Sequence, residues 1–329
     1  MKVLFKILKA VISIVLAVAL LLTAAGVICR TLPGKEADYS KVTNPHISVD
    51  GKTLVSAHRS GGDIAPENTL AAFKNCIESE NFNVDIYEFD LHITSDGKLI
   101  LLHDSTLDRT TNAVAHFGEE NVAPSTKTYA QLRELNFGEN FEDVDGNYPY
   151  RGLTGDEIPD DLRAVLLEDV LDYLESNGSF DYIIEIKDAG ENGFRAADEL
   201  YRIISERDLL DNVVFGTFNM DVTNYVDKNY PDMLRSAGIP EVILYYFMCA
   251  FGIEPSEGFF KYEALQIPMG FSFIISLDNS RVINYAHRNN IAVQYWTIND
   301  AEDMELLKDI GADCLMSDNP ALAYEVLNG

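Results

Sequence analysis

The chain has 329 residues, with 25 lysine and arginine against 53 aspartate and glutamate side chains and a formal net charge of −28. Residues 1–35 hold five basic side chains and no acidic one, which leaves the remainder at 20 basic against 53 acidic, a net of −33. That balance argues against a nucleic-acid-binding domain, because a phosphate backbone would be repelled at long range. The length suits one large α/β domain plus an extra element.

The extra element comes first. Lys2, Lys6 and Lys9 precede an uncharged run from Ala10 to Cys29. As a helix, 20 residues reach about 30 Å, the thickness of a bilayer core. A secretory signal is the rival reading. The run is long for one, TAAGVICR shows no clear small-x-small cleavage site, and the residues before Cys29 suit a lipoprotein site poorly. The expectation is therefore an uncleaved single-pass anchor over residues 1–30, with the lysines cytoplasmic and the following domain extracytoplasmic at the cell membrane. Residues 31–50 read as a polar linker broken by Pro33-Gly34 and Asn44-Pro45, and 51–329 as the folded domain. Cys76, Cys249 and Cys314 are scattered and odd in number, so neither a disulfide framework nor a metal-ligand spacing is implied.

In the domain, LVSA at 54–57 is a candidate buried strand, with His58 and Arg59 at its C-terminal end. Gly61, Gly62 and Pro66 make a turn, and Asn68 or Thr69 caps the helix through LAAFKNCIES. In DIYEFDLHIT, Glu88 and Asp90 are two apart and share one side of a strand. Like charges that close need a cation between them, and oxygen ligands suit Ca2+ or Mg2+. A second histidine, His103, arrives on KLILLHD. Two histidines of opposite protonation serve as general base and general acid near neutral pH. Each feature alone is ordinary; their order within one stretch is not.

Residues 112–159 lack a sustained apolar period, apart from one helix in TYAQLRELNFGENF, and read as a loop at the mouth, either a lid or a floppy surface segment. LRAVLLEDVLDYLES is amphipathic, and DYIIEIKD follows as a strand on which Glu185 and Lys187 share a side, the pattern of a plain salt bridge. Strand and helix then alternate to the C-terminus. Strands are expected near 53–57, 86–92, 182–187, 213–217, 233–236, 270–275, 292–297 and 313–317, with 98–103 as an extra hairpin-like strand. PEVILYYFMCAFGIEP reads as a core strand or buried loop, with an apolar rim of Tyr245, Tyr246, Phe247 and Phe251 against lipid as the alternative. Eight βα units predict a TIM (β/α)8 barrel, with the polar residues at the C-terminal ends of its strands.

The ordered set His58-Arg59, Pro66 to Thr69, Glu88 with Asp90, Thr94 with Asp96-Gly97, His103-Asp104 and Arg109 to Thr111 resembles the glycerophosphodiester phosphodiesterase family. The likeness covers roughly residues 53–325, also through GTFN, YWTIN and GADCLMSDNP, and is weakest at 112–160 and 238–270. One departure is Ser60, where the family usually has glycine. The resemblance implies metal-dependent hydrolysis of a glycerophosphodiester to glycerol 3-phosphate and an alcohol, through a cyclic phosphate formed by the substrate's 2-hydroxyl. It implies Glu88, Asp90 and Glu185 as ligands of one divalent cation, Arg59 and Lys187 facing phosphate, His58 and His103 as acid and base in either order, and Trp296 as a wall for glycerol. Alternatives are a lysophospholipid or sphingolipid phosphodiesterase of phospholipase D type, and a non-catalytic phosphodiester-binding surface protein.

Overall fold

Apolar runs too short for helices, each followed by an amphipathic stretch, bury both of their faces when the strands close on themselves inside a ring of helices. The structure is a computed structural model that describes residues 2–256, 258–271 and 275–329. Its strands are β1 (Leu54–Ala57), β2 (Ile86–Ile93), β3 (Leu99–Leu101), β4 (Asp181–Ile186), β5 (Val213–Gly216), β6 (Ala264–Ile267), β7 (Gly270–Phe271), β8 (Ile275–Ser276), β9 (Ala292–Tyr295) and β10 (Cys314–Ser317). Seven of these lie side by side and parallel in the order β5-β4-β2-β1-β10-β9-β6. Parallel bridges Phe215↔Arg235 and Ser236↔Ala264 place residues 235–236 between β5 and β6 as the eighth member and close the ring. This is a TIM barrel. The short β3 pairs antiparallel with the end of β2, as a hairpin-like extra.

Side chains fill the barrel in layers. Val214, Ala264 and Ala292 pack with Ile47 at one level, and Ile86, Ile183, Cys314 and Met316 at another. Outside the strands, two large apolar clusters join the sheet to its helices, one under the helices 70–77, 167–177 and 190–206, the other under 280–288, 301–309 and 320–328. Large side chains such as Phe73, Phe89, Tyr182 and Tyr285 are fully buried there, each contributing about 2–3 kcal/mol by transfer from water.

Several sequence expectations need correction. The barrel strand expected at 270–275 is instead β6; residues 272–274 lie outside the described residues, and the flanking β7 and β8 pair antiparallel off the barrel. Gln266 hid β6, because a polar residue interrupts its apolar run; it points inward and donates to Gln294 at 3.0 Å. PEVILYYFMCAFGIEP is a helix, Ile239–Phe251, with Pro in its first turn, where a missing N–H costs nothing, and Gly252 in the left-handed region at its end. Its Tyr245 and Tyr246 are buried, so they do not belong to an apolar rim. The helix in TYAQLRELNFGENF is only Tyr129–Leu132, and the one starting near 162 begins at Leu167. Residues 112–164 are no floppy loop: Ala113, Val122, Leu132, Leu135, Phe137 and Ala164 form a small core with Ile100, Leu102 and Leu107. The final helix, Pro320–Asn328, had no counterpart in the sequence reading.

The N-terminal helix runs Lys2–Thr31, and Leu8–Thr31 is long and apolar enough to cross a membrane. Most of it is exposed. Ala25 and Cys29 are buried where they meet Tyr246 and Cys249 of the 239–251 helix. The segment after it is strapped to the barrel: Asn44 donates to Glu263 and Asn290 carbonyls, Tyr39 bonds His287, and Ile47 plugs the barrel interior.

Candidate active site

All eight residues singled out from sequence line one cavity at the C-terminal ends of the strands: His58, Arg59, Glu88, Asp90, His103, Glu185, Lys187 and Trp296. Its volume is ≈ 330 Å³. Register explains the convergence. Asp90 on β2 sits opposite Glu185 on β4, and Glu88 lies two residues earlier on the same face of β2. Lys187 Nζ lies 3.1 Å from Asp90 Oδ1 and 3.0 Å from Glu185 Oε1, so one ammonium spans two carboxylates. Glu88 Oε2 accepts the Arg59 backbone N–H at 2.6 Å, and Asn68 Nδ2 donates to Asp90 Oδ2 at 2.9 Å.

The loop after β1 makes these contacts through left-handed backbone. Arg59, Ser60 and Gly61 have φ of 50°, 64° and 90°. Ser60 is the departure from the family's glycine; it holds a conformation that costs an L-residue about 1–2 kcal/mol, and its buried hydroxyl has no hydrogen-bond partner. Arg59 is held by Glu67 at 3.4 Å, while its buried Nε has no hydrogen-bond partner and stands 4.0 Å from Asp90 Oδ2.

Each histidine is fixed by an aspartate that sequence reading did not assign. His58 Nδ1 pairs with Asp318 Oδ1 at 2.6 Å, and Asn299 donates to the other Asp318 oxygen at 2.8 Å. His103 Nδ1 pairs with Asp104 Oδ1 at 2.8 Å, and Arg109 donates to Asp104 and to Glu67 at 2.7 Å each. With Nδ1 engaged, Nε2 of each ring is left for the cavity. Burial opposes charge on His58, but Glu88 and Asp318 outweigh it and raise its pKa. Burial, with Lys187 and Arg59, lowers that of His103 against the pull of Asp90 and Asp104. Asp104 is held down to about 2; burial acts against this, and the bonds from Arg109 and His103 overcome it. The signal for Asp318 was present in SDNP, at the end of the last strand.

Burial and Asp90's charge push the Glu88 carboxyl up to about 8. Burial and Asp90 also raise Glu185, against Lys187. Asp90 is lowered despite burial, by Lys187, His103 and Asn68. Three carboxylates are thus buried together, and two of them resist ionising, which is the electrostatic condition that a divalent cation relieves. The donor set, all carboxylate oxygen, fits a hard cation such as Ca2+ or Mg2+. Among the described residues the carboxylates are not drawn into a closed ligand cluster; Lys187 occupies the space between two of them.

The remaining wall is mostly apolar, with Thr217, Ser236, Gln266 and Thr297 as its uncharged polar groups. Phe218, Ile239, Val242, Ile243, Ile267 and Trp296 line it, with the Phe218 and Trp296 rings edge to face at 5.9 Å. No residue of 112–164 lines the cavity, so the lid expected from sequence is absent from the wall.

A parallel barrel whose strand ends gather two aspartate-held histidines, three carboxylates and two cations defines a hydrolase site for a phosphate ester. Residues 58–322 match the sequence model of the glycerophosphoryl diester phosphodiesterase family, and the chain belongs to that family. A glycerophosphodiester phosphodiesterase of Caldanaerobacter subterraneus subsp. tengcongensis is 29% identical over 270 residues, 82% of this chain and 95% of that protein. One from Bacillus subtilis is 24% identical over 299 residues, covering 84% of this chain and 87% of its own. Among solved structures, an Oleispira antarctica phosphodiesterase in complex with the product sn-glycerol-3-phosphate superposes with a TM-score of 0.62, at 19% identity over 85% of this chain and 98% of that one.

Proposed function

We infer that this enzyme, a glycerophosphodiester phosphodiesterase, hydrolyses a glycerophosphodiester to glycerol 3-phosphate and an alcohol by paired-histidine acid–base chemistry. The observation that carries the reading is the pairing of each histidine's Nδ1 with its own aspartate, Asp318 or Asp104, beside one shared cavity. Such pairing fixes the tautomer and turns Nε2 into the working atom. One imidazole takes the proton from the attacking hydroxyl, water's or the substrate's own 2-hydroxyl. The other, as imidazolium, gives a proton to the departing alcohol oxygen as the P–O bond breaks. Arg59, with its unpartnered Nε, and Lys187 face the phosphoryl oxygens and neutralise charge that grows on them. Glu88, Asp90 and Glu185 would hold one divalent cation, whose contribution is Lewis-acid charge neutralisation at the phosphate. Trp296 packs against the glycerol carbons.

The N-terminal helix serves as a single-pass anchor with the barrel on the extracytoplasmic side. Its apolar length of 24 residues and its lysines at 2, 6 and 9 support that orientation. The test of the hydrolysis is release of glycerol phosphate from glycerophosphocholine. Wild-type protein with Ca2+ is expected to turn over, and His58→Ala and His103→Ala each to lose about 10²–10⁴-fold in kcat/KM. Unchanged turnover in both variants would refute the assignment.

A further inference from the structure

Counted along the sequence, Cys29 falls in the N-terminal helix and leaves the barrel an odd three cysteines. The fold changes that count. Cys29 and Cys249 meet where the last turns of helix Lys2–Thr31 pack on helix Ile239–Phe251, and their thiols are in hydrogen-bond contact. Both side chains are buried. The other two cysteines lie on opposite faces of the sheet: Cys76 donates to the Ser60 carbonyl at 3.4 Å, and Cys314 packs inside the barrel. All four are free thiols in this structure.

The junction around the pair is held on every side. The Arg281 guanidinium donates to the Pro33 carbonyl at 3.2 Å, just past the N-terminal helix, and to the Cys249 and Ala250 carbonyls at 3.2 and 3.0 Å. Cys249 Sγ donates in turn to the Arg281 carbonyl at 3.6 Å. Gly34 runs so close over the same residue that a Cβ there would stand 2.8 Å from the Arg281 Cα. Further along helix 280–288, the Ala37 N–H donates to Asn284 Oδ1 at 3.0 Å and Tyr39 bonds His287. One arginine therefore ties the chain beside both cysteines before any covalent bond exists. Thiols held in contact this way need little backbone movement to reach the covalent S–S spacing of about 2 Å.

We propose that Cys29 and Cys249 close a disulfide that tethers the N-terminal helix to the barrel. The inference rests on the extracytoplasmic reading of the domain, because thiols are kept reduced in the cytoplasm. The co-reactant is an external disulfide. One cysteine, as thiolate, attacks it, forms a mixed disulfide and releases one thiol; the second cysteine then displaces the other thiol. Two S–H bonds are lost, one S–S bond forms, and the external disulfide leaves as two thiols carrying the two protons and two electrons. Because both sulfurs are buried in the docked chain, the bond forms as helix and barrel come together and is afterwards shielded from reductant. Its consequence is orientation: helix 239–251, whose first turns line the cavity, keeps a fixed place relative to the point where the anchor leaves the bilayer.

The test expresses the full chain in cells with oxidised glutathione in the medium. Thiols are alkylated with iodoacetamide in denaturant before any reductant is added, and the intact protein and its tryptic peptides are weighed. Two alkylated cysteines are expected, Cys76 and Cys314, rising to four when reduction precedes alkylation. One cross-linked species should join the peptides that hold Cys29 and Cys249 and be absent from Cys29→Ser. A separate variant, Val144→Cys, at a position 86% exposed, reports the side of the membrane through an impermeant maleimide added to whole cells. Val144→Cys labelled in whole cells, together with four alkylated cysteines in unreduced wild type or a cross-link through Cys76 or Cys314, would overturn the tether. Val144→Cys labelled only after lysis would instead overturn the extracytoplasmic reading, and the tether in the cell with it.

Discussion

The two walls of the cavity are built on opposite plans. One comes from β1, β2, β4 and the turn after β3, and among the described residues it carries every ionisable group that lines the cavity. The other comes from the ends of β5, β6 and β9 and from the 239–251 helix, and offers mainly isoleucine, valine, phenylalanine and tryptophan, with only the uncharged polar groups of Thr217, Ser236, Gln266 and Thr297 among them. Chemistry on a phosphodiester needs fixed protons and fixed charge on one side only. The opposite side is free to recognise whatever is attached, and its side chains can change without touching the reaction. The contrast predicts that substitutions on the first wall act on kcat, and those on the second on KM and substrate choice.

The largest break comes from the carboxylates. A chelator is expected to reduce glycerol phosphate release to background, with restoration by Ca2+ or Mg2+, and Glu185→Gln to raise the Ca2+ concentration needed for half-maximal rate at least tenfold. Full activity in chelator would remove the cation from the account. Next, Asp318→Asn leaves His58 in place but removes the negative charge that supports its imidazolium and fixes its tautomer, with an expected loss of about 10²-fold in kcat. Because Asp318's negative charge raises the His58 pKa, its removal moves the limb of the pH–rate profile that belongs to His58 to lower pH. A limb that stays in place would make Asp318 merely structural. On the second wall, Trp296→Ala is expected to raise KM for glycerophosphocholine about tenfold, with kcat within about threefold, the pattern of lost uniform binding. The smallest effect is Ser60→Gly. Glycine accepts the φ of 64° without strain and removes a buried unpartnered hydroxyl, so the fold is expected to gain about 0.5–1 kcal/mol in denaturant titration.

Acid stability sharpens the same contrast. Asp104 has its pKa lowered to about 2 in the fold, against about 3.9 when unfolded. Its contribution is therefore complete above pH about 4 and is lost as pH falls toward 2. Asp104→Asn should flatten the stability profile in that window, relative to wild type in the same titration.

The charged wall was legible in sequence because each of its groups stands at a strand end inside a short ordered motif, and strand periodicity alone puts Glu88 with Asp90 and Glu185 with Lys187. The aspartates behind the histidines were less visible. Asp104 follows His103 directly, but Asp318 lies 260 residues from His58 and meets it only once the barrel closes. Apart from Trp296, the apolar wall was illegible for a different reason. Isoleucine and phenylalanine carry the same signal in a core as in a binding wall, and a helix apolar on all sides lacks the 3.6-residue alternation that separates helix from strand. β6 escaped detection because Gln266 turns inward to Gln294, which breaks the apolar run by which a buried strand is recognised.

The most direct measurement compares His58→Ala and His103→Ala on two diesters, glycerophosphocholine and an analogue with an activated aryl leaving group that departs without taking a proton. If one histidine is the acid and the other the base, one of the two variants regains at least 10²-fold on the aryl substrate relative to the choline substrate, and the other stays inactive on both. Equal recovery of both variants, or of neither, would contradict the division of labour on which the account rests.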